Sequence, residues 1–163
     1  MVGMAVRLEF SMTFMRRAAI YSLALGAAYW LVGALEMANA ISSWLVPGLG
    51  PVLKSPWIPP DDFFGAFSAM VIGAVFSCSR GLLKGKREDI AFVLVGTVLA
   101  GTFGALYILT SLAGALEALI AGEEALEALI EGLRRPEIWL FLSSLPLAYS
   151  SWTSVLRREG RSC

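Results

Sequence analysis

The sequence predicts an all-α integral membrane protein, a bundle of four transmembrane helices with an extracytoplasmic amphipathic helix. Four apolar stretches fill most of the 163 residues, at 18–46, 63–83, 90–116 and 138–156. Each is close to or longer than the ~20 residues that a helix needs to cross a bilayer. The chain is also 57% hydrophobic and only 16% charged, whereas soluble domains have about 25% charged residues. A bilayer, rather than water, is therefore the expected solvent.

The apolar runs also distinguish helices from strands. A closed β-barrel can span a bilayer, but its strands alternate apolar and polar residues over about 10 positions. The runs in this chain are longer and do not alternate, so helices are predicted. The connecting loops are too short for a separate folded module. We therefore expect residues 1–163 to form a single membrane domain.

The basic residues predict the orientation of the bundle. Of the thirteen Lys and Arg residues, ten fall on one side of the four predicted spans and three on the other. Basic loop residues favour the cytoplasmic side, so we expect a multi-pass protein of the cell membrane with both termini in the cytoplasm. The ten are Arg7, Arg16, Arg17, Arg80, Lys84, Lys86, Arg87, Arg157, Arg158 and Arg161, and the three are Lys54, Arg134 and Arg135.

The first span has an alternative interpretation. An Arg pair, an apolar run and the sequence Ala38-Asn39-Ala40 together resemble a signal peptide with its cleavage site. The apolar region is, however, longer than the roughly 7 to 15 residues of a signal peptide. An uncleaved span that continues to Trp44 accounts for the same residues, and we favour it.

The segment between the first two spans is predicted to lie at the outer interface. Residues 47–60 carry five of the seven prolines together with several apolar side chains, a composition that suits neither a helix nor a free linker. Asp61 and Asp62 follow, directly before Phe63. A carboxylate at this position can accept hydrogen bonds from the free N–H groups of a helix start, so we expect a capped helix there.

Two predicted spans carry rows of small residues at four-residue spacing. Residues four apart lie on one face of a helix, and small side chains let another backbone approach closely in a membrane. We expect these rows to pack between the second and third spans, or alternatively between copies of the chain. The second span has Gly65, Ala69, Gly73 and Ser77, and the third has Gly96, Ala100 and Gly104 on one row and Thr97, Gly101 and Ala105 on the next.

The residue pattern at 117–133 predicts an amphipathic outer helix. Apolar side chains line one side and glutamates the other, so the helix should lie flat on the bundle or the membrane. The apolar side has Leu126, Leu129, Ile130 and Leu133, and the acidic side has Glu123, Glu124, Glu127 and Glu131. Pro136 then suits the first turn of the last span, and Pro146 predicts a kink in its middle.

Glu36 is the one acidic residue deep in an apolar span. It precedes Trp44 by eight residues, so it lies about 12 Å below the outer interface if Trp44 marks that interface. A charged group in a span costs roughly 2.5 to 3.5 kcal/mol on insertion scales and usually faces a bundle interior or a water-filled path. Asn39 is the nearest polar residue on that face. Glu36 and Asn39 are candidates for an ion or proton site, or alternatively for a hydrogen-bonded contact between helices.

The sequence lacks the patterns of catalytic, metal and cofactor sites. It contains no His, which excludes His-ligated haem, the usual His-rich zinc centres and His-based acid/base chemistry within this chain. No nucleophile elbow, phosphate-binding loop or paired CxxC motif occurs. We therefore expect a protein that is not an enzyme, with no bound metal, no cofactor and no nucleic-acid partner.

Two functions remain open. The first is a non-enzymatic bundle that acts through helix packing, as a homo-oligomer or as an accessory subunit of a membrane complex. Its partners would be the lipid bilayer and either further copies or other membrane subunits. The second is a cation channel or transporter that uses Glu36 and Asn39. The rows of small residues support the first function, and Glu36 with the acidic outer loops supports the second.

Overall fold

The computed structural model describes residues 12–45 and 62–159 as a helical bundle. The loop predicted at 47–60, Arg7, Arg161 and Cys163 lie outside these residues. Within the described ranges the chain forms helices and no strand, in agreement with the predicted class. The helices are α1 (Met12–Leu45), α2 (Phe63–Ser77), α3 (Ile90–Ala121), α4 (Ala125–Leu133) and α5 (Pro136–Glu159). Two 3₁₀ segments, Cys78–Lys84 and Arg87–Asp89, connect α2 to α3.

Three helical segments of the described chain are long and apolar enough to cross a bilayer. They are Met12–Leu45, Phe63–Lys84 and Arg87–Ala121. The fourth predicted span, 138–156, lies within α5, which has 24 residues. At 1.5 Å per residue α5 is about 36 Å long, but its serines and terminal arginines make it more polar than the other three. A fourth crossing by α5 stays a prediction.

The start of α2 follows the predicted capping. The Asp62 side chain accepts a hydrogen bond from the Gly65 N–H at 2.7 Å, so Asp62 is the N-cap residue. The helix passes into the 3₁₀ segment after Ser77 and the turn closes at Gly85, whose φ of 78° suits glycine. The first helix begins at Met12 rather than near Ala18, because Arg16 and Arg17 continue the helix instead of ending it.

The outer amphipathic helix is shorter than the predicted range of 117–133. Residues 117–121 extend α3, and Gly122 ends that helix in the left-handed conformation with φ of 77°. The Glu123 N–H then bonds to the Ala118 carbonyl at 2.8 Å, a typical helix C-cap. As a result α4 begins only at Ala125. The short helix α4 packs on α3. A methyl group added at Gly132 of α4 would lie 2.7 Å from the Cβ of Ser111 on α3.

The last helix begins at Pro136, as predicted, and runs through Pro146. Pro146 has no N–H, so the carbonyl of Leu142 lacks its usual partner in the helix ladder. The kink predicted there stays a prediction. Ile138 and Leu147 are buried on the inner face of α5, whereas Trp139 and Tyr149 are exposed on its outer face.

Glycines bring α1 and α2 into close contact. A methyl group added at Gly33 would lie 2.8 Å from the Ala66 carbonyl oxygen, and one added at Gly73 would lie 3.0 Å from the Gly26 carbonyl oxygen. Such distances leave no room for a side chain. Backbone approach of this kind drives helix association in membranes, and it fixes α1 against α2 over several turns.

Two glycines of α3 pack against aromatic rings of α2 and α5. A methyl group at Gly96 would lie 2.7 Å from the Phe76 ring of α2, and Gly104 contacts Phe141 of α5. The buried core between the helices includes Tyr29, Ile72 and Val93. Because α3 contacts α2, α4 and α5, it links the first half of the chain to the second.

The predicted rows of small residues are only partly buried. On α2, Gly65, Ala69 and Gly73 are buried and Ser77 is half-buried, but Gly73 packs on α1 rather than on the third span. On α3, the row of Gly96, Ala100 and Gly104 is buried. The adjacent row is buried only at Thr97, with Gly101 half-buried and Ala105 exposed. This second row therefore faces progressively away from the bundle toward the outer end.

The ends of the helices separate the charges. Met12, at the start of α1, lies beside Gly85 of the turn between α2 and α3. At the opposite end, Trp44 stacks on Phe63 with 6.2 Å between ring centroids. The first end carries Arg16, Arg17, Arg80, Lys84, Lys86 and Arg87 against Glu88 and Asp89, and the second carries Asp62 and the glutamates of the segment around α4 against Arg134 and Arg135. We call them the basic end and the acidic end.

We expect Gly73→Leu to lower the midpoint of thermal unfolding in detergent, because a side chain there would overlap Trp30 and the Gly26 backbone. Overpacking of a filled contact costs about 1–3 kcal/mol. Ala105→Leu is the matched control, since Ala105 is exposed. A Gly73→Leu variant as stable as this control would contradict the assigned contact.

The bias of basic residues predicts that the basic end faces the cytoplasm. In a Cys163→Ser background, Cys78, which is exposed at that end, should react with a membrane-impermeant thiol reagent only from the cytoplasmic side. In a cysteine-free background, Glu124→Cys at the acidic end should react only from outside. Labelling with the opposite sidedness would refute the orientation.

Candidate functional site

Glu36 and Asn39 lie on the buried face of α1, near its acidic end. The Glu36 side chain is 0% exposed and Asn39 is 1% exposed. They are three residues apart and so share one face of the helix. The Asn39 backbone carbonyl accepts hydrogen bonds from Ser42 Oγ at 2.9 Å and Ser43 Oγ at 3.0 Å, which holds the last turns of α1 in helical form.

The structure adds Glu137 as the partner of Glu36. Glu137 occupies the first turn of α5, directly after Pro136, and is 4% exposed. Its carboxyl group is an electrostatic neighbour of that of Glu36. The sequence alone does not single out Glu137, because it stands at the edge of an apolar stretch beside the acidic outer loops. We call Glu36 and Glu137 the carboxyl pair.

Asp62, Tyr107 and Arg135 form a second group beside the carboxyl pair, toward the acidic end. Asp62 forms an ion pair with Arg135 and accepts a hydrogen bond from the Tyr107 hydroxyl at 3.2 Å. The Arg135 guanidinium also lies over the Tyr107 ring, 5.1 Å from its centroid, a cation–π contact. The hydrogen bonds of Arg135 and Tyr107 are thus donated to Asp62 and not to the carboxyl pair.

Gly65 makes room for both groups. A methyl group added at Gly65 would lie 2.7 Å from Glu137 Oε1, 2.6 Å from the Tyr107 hydroxyl and 2.9 Å from Asp62 Cγ. The row of small residues on the second span predicts that Gly65 contacts another helix. Its neighbours are instead the polar side chains of the site, so the missing Cβ lets Glu137 enter the bundle.

The carboxyl pair carries an unbalanced charge unless a cation is present. Among the described residues, no other side chain donates a hydrogen bond to the oxygens of Glu36 and Glu137. Two ionised carboxylates close together repel each other, and burial removes the water that would screen them. A proton on one of them removes the repulsion, as in other neighbouring pairs of carboxyl groups.

The arrangement does not match a metal centre. In the part of the chain that the structure describes, no three Asp, Glu or Cys side chains come together in a way that could hold a metal ion. Asp62 belongs to the neighbouring group but is already bound to Arg135. The carboxyl pair therefore offers two acidic ligands, enough for a proton and few for Ca²⁺, which takes six to eight oxygens.

Comparison with known proteins supplies the family. The sequence model described as MJ0565 integral membrane domain matches residues 13–154. The chain belongs to this family. The match covers α1 to most of α5, and hence Glu36, Glu137, Asp62, Tyr107 and Arg135. No curated protein and no solved structure matches the chain.

Membership of the MJ0565 integral membrane domain family confirms that the apolar helices are membrane helices. Glu36 stands nine residues before the end of α1 at Leu45, or about 13 Å along the helix axis. Where the bilayer encloses α1, a buried carboxyl group finds no water on the lipid side.

We expect Gly65→Ala to lower thermal stability in detergent, because its methyl group would press on Glu137, Tyr107 and Asp62 at once. Gly114→Ala on α3 is the matched control. A methyl group at Gly114 meets no atom within 4 Å, and replacing a helical glycine by alanine favours the helix by about 1 kcal/mol. Equal stability of the two variants would show that the site does not depend on close approach at Gly65.

Proposed function

We propose that this protein is a non-enzymatic membrane protein that moves protons across the bilayer, with Glu36 and Glu137 as the binding site. One observation carries the proposal: two buried carboxyl groups lie near each other, and no other described side chain donates a hydrogen bond to either. Ionisable residues inside a membrane are costly and often mark an ion or proton pathway. A pair that needs a cation to be neutral is a site for taking up and releasing that cation.

The chemistry of the pair favours a proton over a metal cation. Each carboxyl group can hold one proton, and a singly protonated pair forms one short hydrogen bond between its two halves. Asn39 lies one turn farther toward the acidic end, on the same buried face. Its position suits a polar neighbour that stabilises the charged form of the pair during proton exchange.

The acidic end supplies a connection to the outside. The group of Asp62, Tyr107 and Arg135 lies between the carboxyl pair and the loops, and the side chains of Asp62 and Arg135 are 16% and 34% exposed. Beyond them, exposed glutamates raise the local concentration of cations. A proton that reaches Asp62 from water has a short distance left to the pair.

Helix packing in an oligomer or with an accessory partner is the second candidate. Its support is the large apolar surface that α3 leaves uncovered, where Leu106, Leu109, Leu112 and Leu116 are each at least half exposed. This surface suits lipid tails and would also suit another membrane subunit. The glycines of the bundle, in contrast, are largely occupied by contacts within the chain, so a seam between copies would use bulky side chains. The oligomeric state of the purified protein tests this candidate.

Vesicles that contain the purified protein and a pH-sensitive dye test proton transport. We expect an imposed electrical potential to drive proton uptake, and Glu36→Gln or Glu137→Gln to reduce it to the level of empty vesicles, because the amide cannot exchange a proton at this site. The matched control is Glu124→Gln, an exposed glutamate at the acidic end, which should transport like the parent.

Thermal stability separates transport from a structural role. A protonated Glu and a Gln make similar hydrogen bonds, so Glu36→Gln should fold with near-parental stability, whereas Glu36→Ala leaves Glu137 unpaired and should lose about 1–3 kcal/mol. A parent protein that moves no protons would refute the proposed function. If both glutamine variants transport protons at the parental rate, the carboxyl pair is not the binding site.

A further inference from the structure

Buried polar side chains repeat every seven residues on both α1 and α5. A step of seven residues returns to nearly the same face of a helix, with a drift of about 20°, so each set forms one row along its helix. On α1 the row is Ser22, Tyr29 and Glu36, and on α5 it is Glu137, Ser144 and Ser151. Each of these side chains is 4% exposed or less. We call the two rows together the polar column.

The helices that carry the two rows, α1 and α5, are in contact. Glu36 and Glu137 interact electrostatically near the acidic end. Nearer the basic end, the Tyr21 hydroxyl donates to the Ser143 carbonyl oxygen at 2.7 Å, and Ala18 lines the same groove as Leu147. These contacts run in opposite directions along the two helices, as they must for antiparallel neighbours. Ser22 and Ser151 are therefore both placed at the end of the column away from the carboxyl pair.

The column reaches the basic end of the bundle. Ser79, in the 3₁₀ segment after α2, is 0% exposed, and its Oγ lies 3.0 Å from Ser22 Oγ and 2.7 Å from the Phe76 carbonyl oxygen. The next residue along the chain is Arg80, which is exposed. From Glu36 to Ser22 is fourteen residues, or about 21 Å of helix. This covers most of the ~30 Å of hydrocarbon that a span crosses.

Ser151 shows that the column is incomplete without a further partner. Its hydroxyl is buried and has no hydrogen-bond partner among the described residues. The other two serines of the column each have a partner. Ser144 donates to the Phe141 carbonyl at 2.7 Å, and Ser22 accepts from the neighbouring Ser79 hydroxyl. Buried hydroxyls are nearly always paired, and ordered water is a common partner. An unpaired hydroxyl on a buried polar row indicates a position for water.

We propose that the polar column is a water-containing route that joins the basic end of the bundle to the carboxyl pair. The inference rests on the proposed function, because it gives Glu36 and Glu137 their access from the second side of the membrane. Successive polar groups of a row are about 10 Å apart along the helix, too far for direct transfer, so water molecules link them.

Proton movement along the column balances at every step. A water or hydroxyl oxygen accepts a proton from the side of the basic end and releases its former proton toward the carboxyl pair. The last of these protons binds one carboxylate oxygen of the pair. No electron is transferred and no covalent bond other than O–H forms or breaks, and hydroxyl groups suit this role because each both donates and accepts.

Cysteine accessibility tests the column without reference to transport. In a protein that carries Cys78→Ser and Cys163→Ser, the added substitution Ser151→Cys should react with a small, charged methanethiosulfonate reagent applied from the basic end, although Ser151 is 0% exposed. Ser143→Cys is the matched control on the same helix. Ser143 is exposed on the outside of the bundle, where lipid excludes a charged reagent, so it should not react. An unreactive Ser151→Cys would overturn the column.

Proton flux then tests whether the column is the route. We expect Ser151→Val to slow uptake about tenfold, which corresponds to about 1.4 kcal/mol in the barrier, while Ser143→Val keeps the parental rate. Parental flux in Ser151→Val would overturn the route and leave the carboxyl pair in place as the binding site. A parent protein without flux would instead refute the proposed function, and the labelling result would still decide whether water enters the column.

Discussion

A bilayer supplies no water to a buried charge, and this constraint governs the arrangement of the whole bundle. Glu36 is fully buried, where an ionised carboxylate without a partner is costly. Glu137 from the last helix adds a second carboxyl group, so the two are favoured only with a shared proton. The ion pair of Asp62 with Arg135 neutralises a third negative charge nearby. Four helices converge at this point, with α1 contributing Glu36, the start of α2 Asp62, α3 Tyr107 and α5 Glu137.

Close helix packing makes that convergence possible. Gly33 and Gly73 let α1 and α2 touch along their backbones, and Gly104 receives the Phe141 ring of α5. With larger side chains at these positions the helices would stand farther apart, and the carboxyl groups of α1 and α5 would no longer reach each other. Gly65 has the same effect within the site itself. The glycines and the acidic residues are thus parts of one arrangement, although they lie far apart in sequence.

Much of the fold follows from the sequence, because apolar length and small-residue spacing are local properties. The class of fold, the Asp62 cap and the start of α5 at Pro136 were all predictable in this way. The end of α3 was also signalled by Gly122, but the repetitive apolar and acidic sequence around it suggested one continuous helix over 117–133. Ala105 was assigned to a packing row by spacing alone, and the path of α5 across α3 leaves it exposed.

The candidate site was only half predictable. Glu36 stands out because apolar residues surround it on both sides, whereas Glu137 begins an apolar stretch and resembles any loop acid. The signal that could have found it is the seven-residue spacing of Glu137, Ser144 and Ser151, which marks one polar face on a helix otherwise rich in large apolar residues. Pairing that face with the row on α1 requires knowledge of which helices are neighbours, and that is a tertiary property.

The central claim is that the carboxyl pair holds a proton inside the membrane. Infrared spectroscopy of the protein in lipid at neutral pH tests it most directly, since a protonated carboxylic acid has a carbonyl band that a carboxylate lacks. The account predicts such a band in the parent protein and its shift or loss in both Glu36→Gln and Glu137→Gln, because each variant removes the carboxyl group that shares the proton. A parent spectrum without the band, or a band that persists unchanged in both variants, would contradict it.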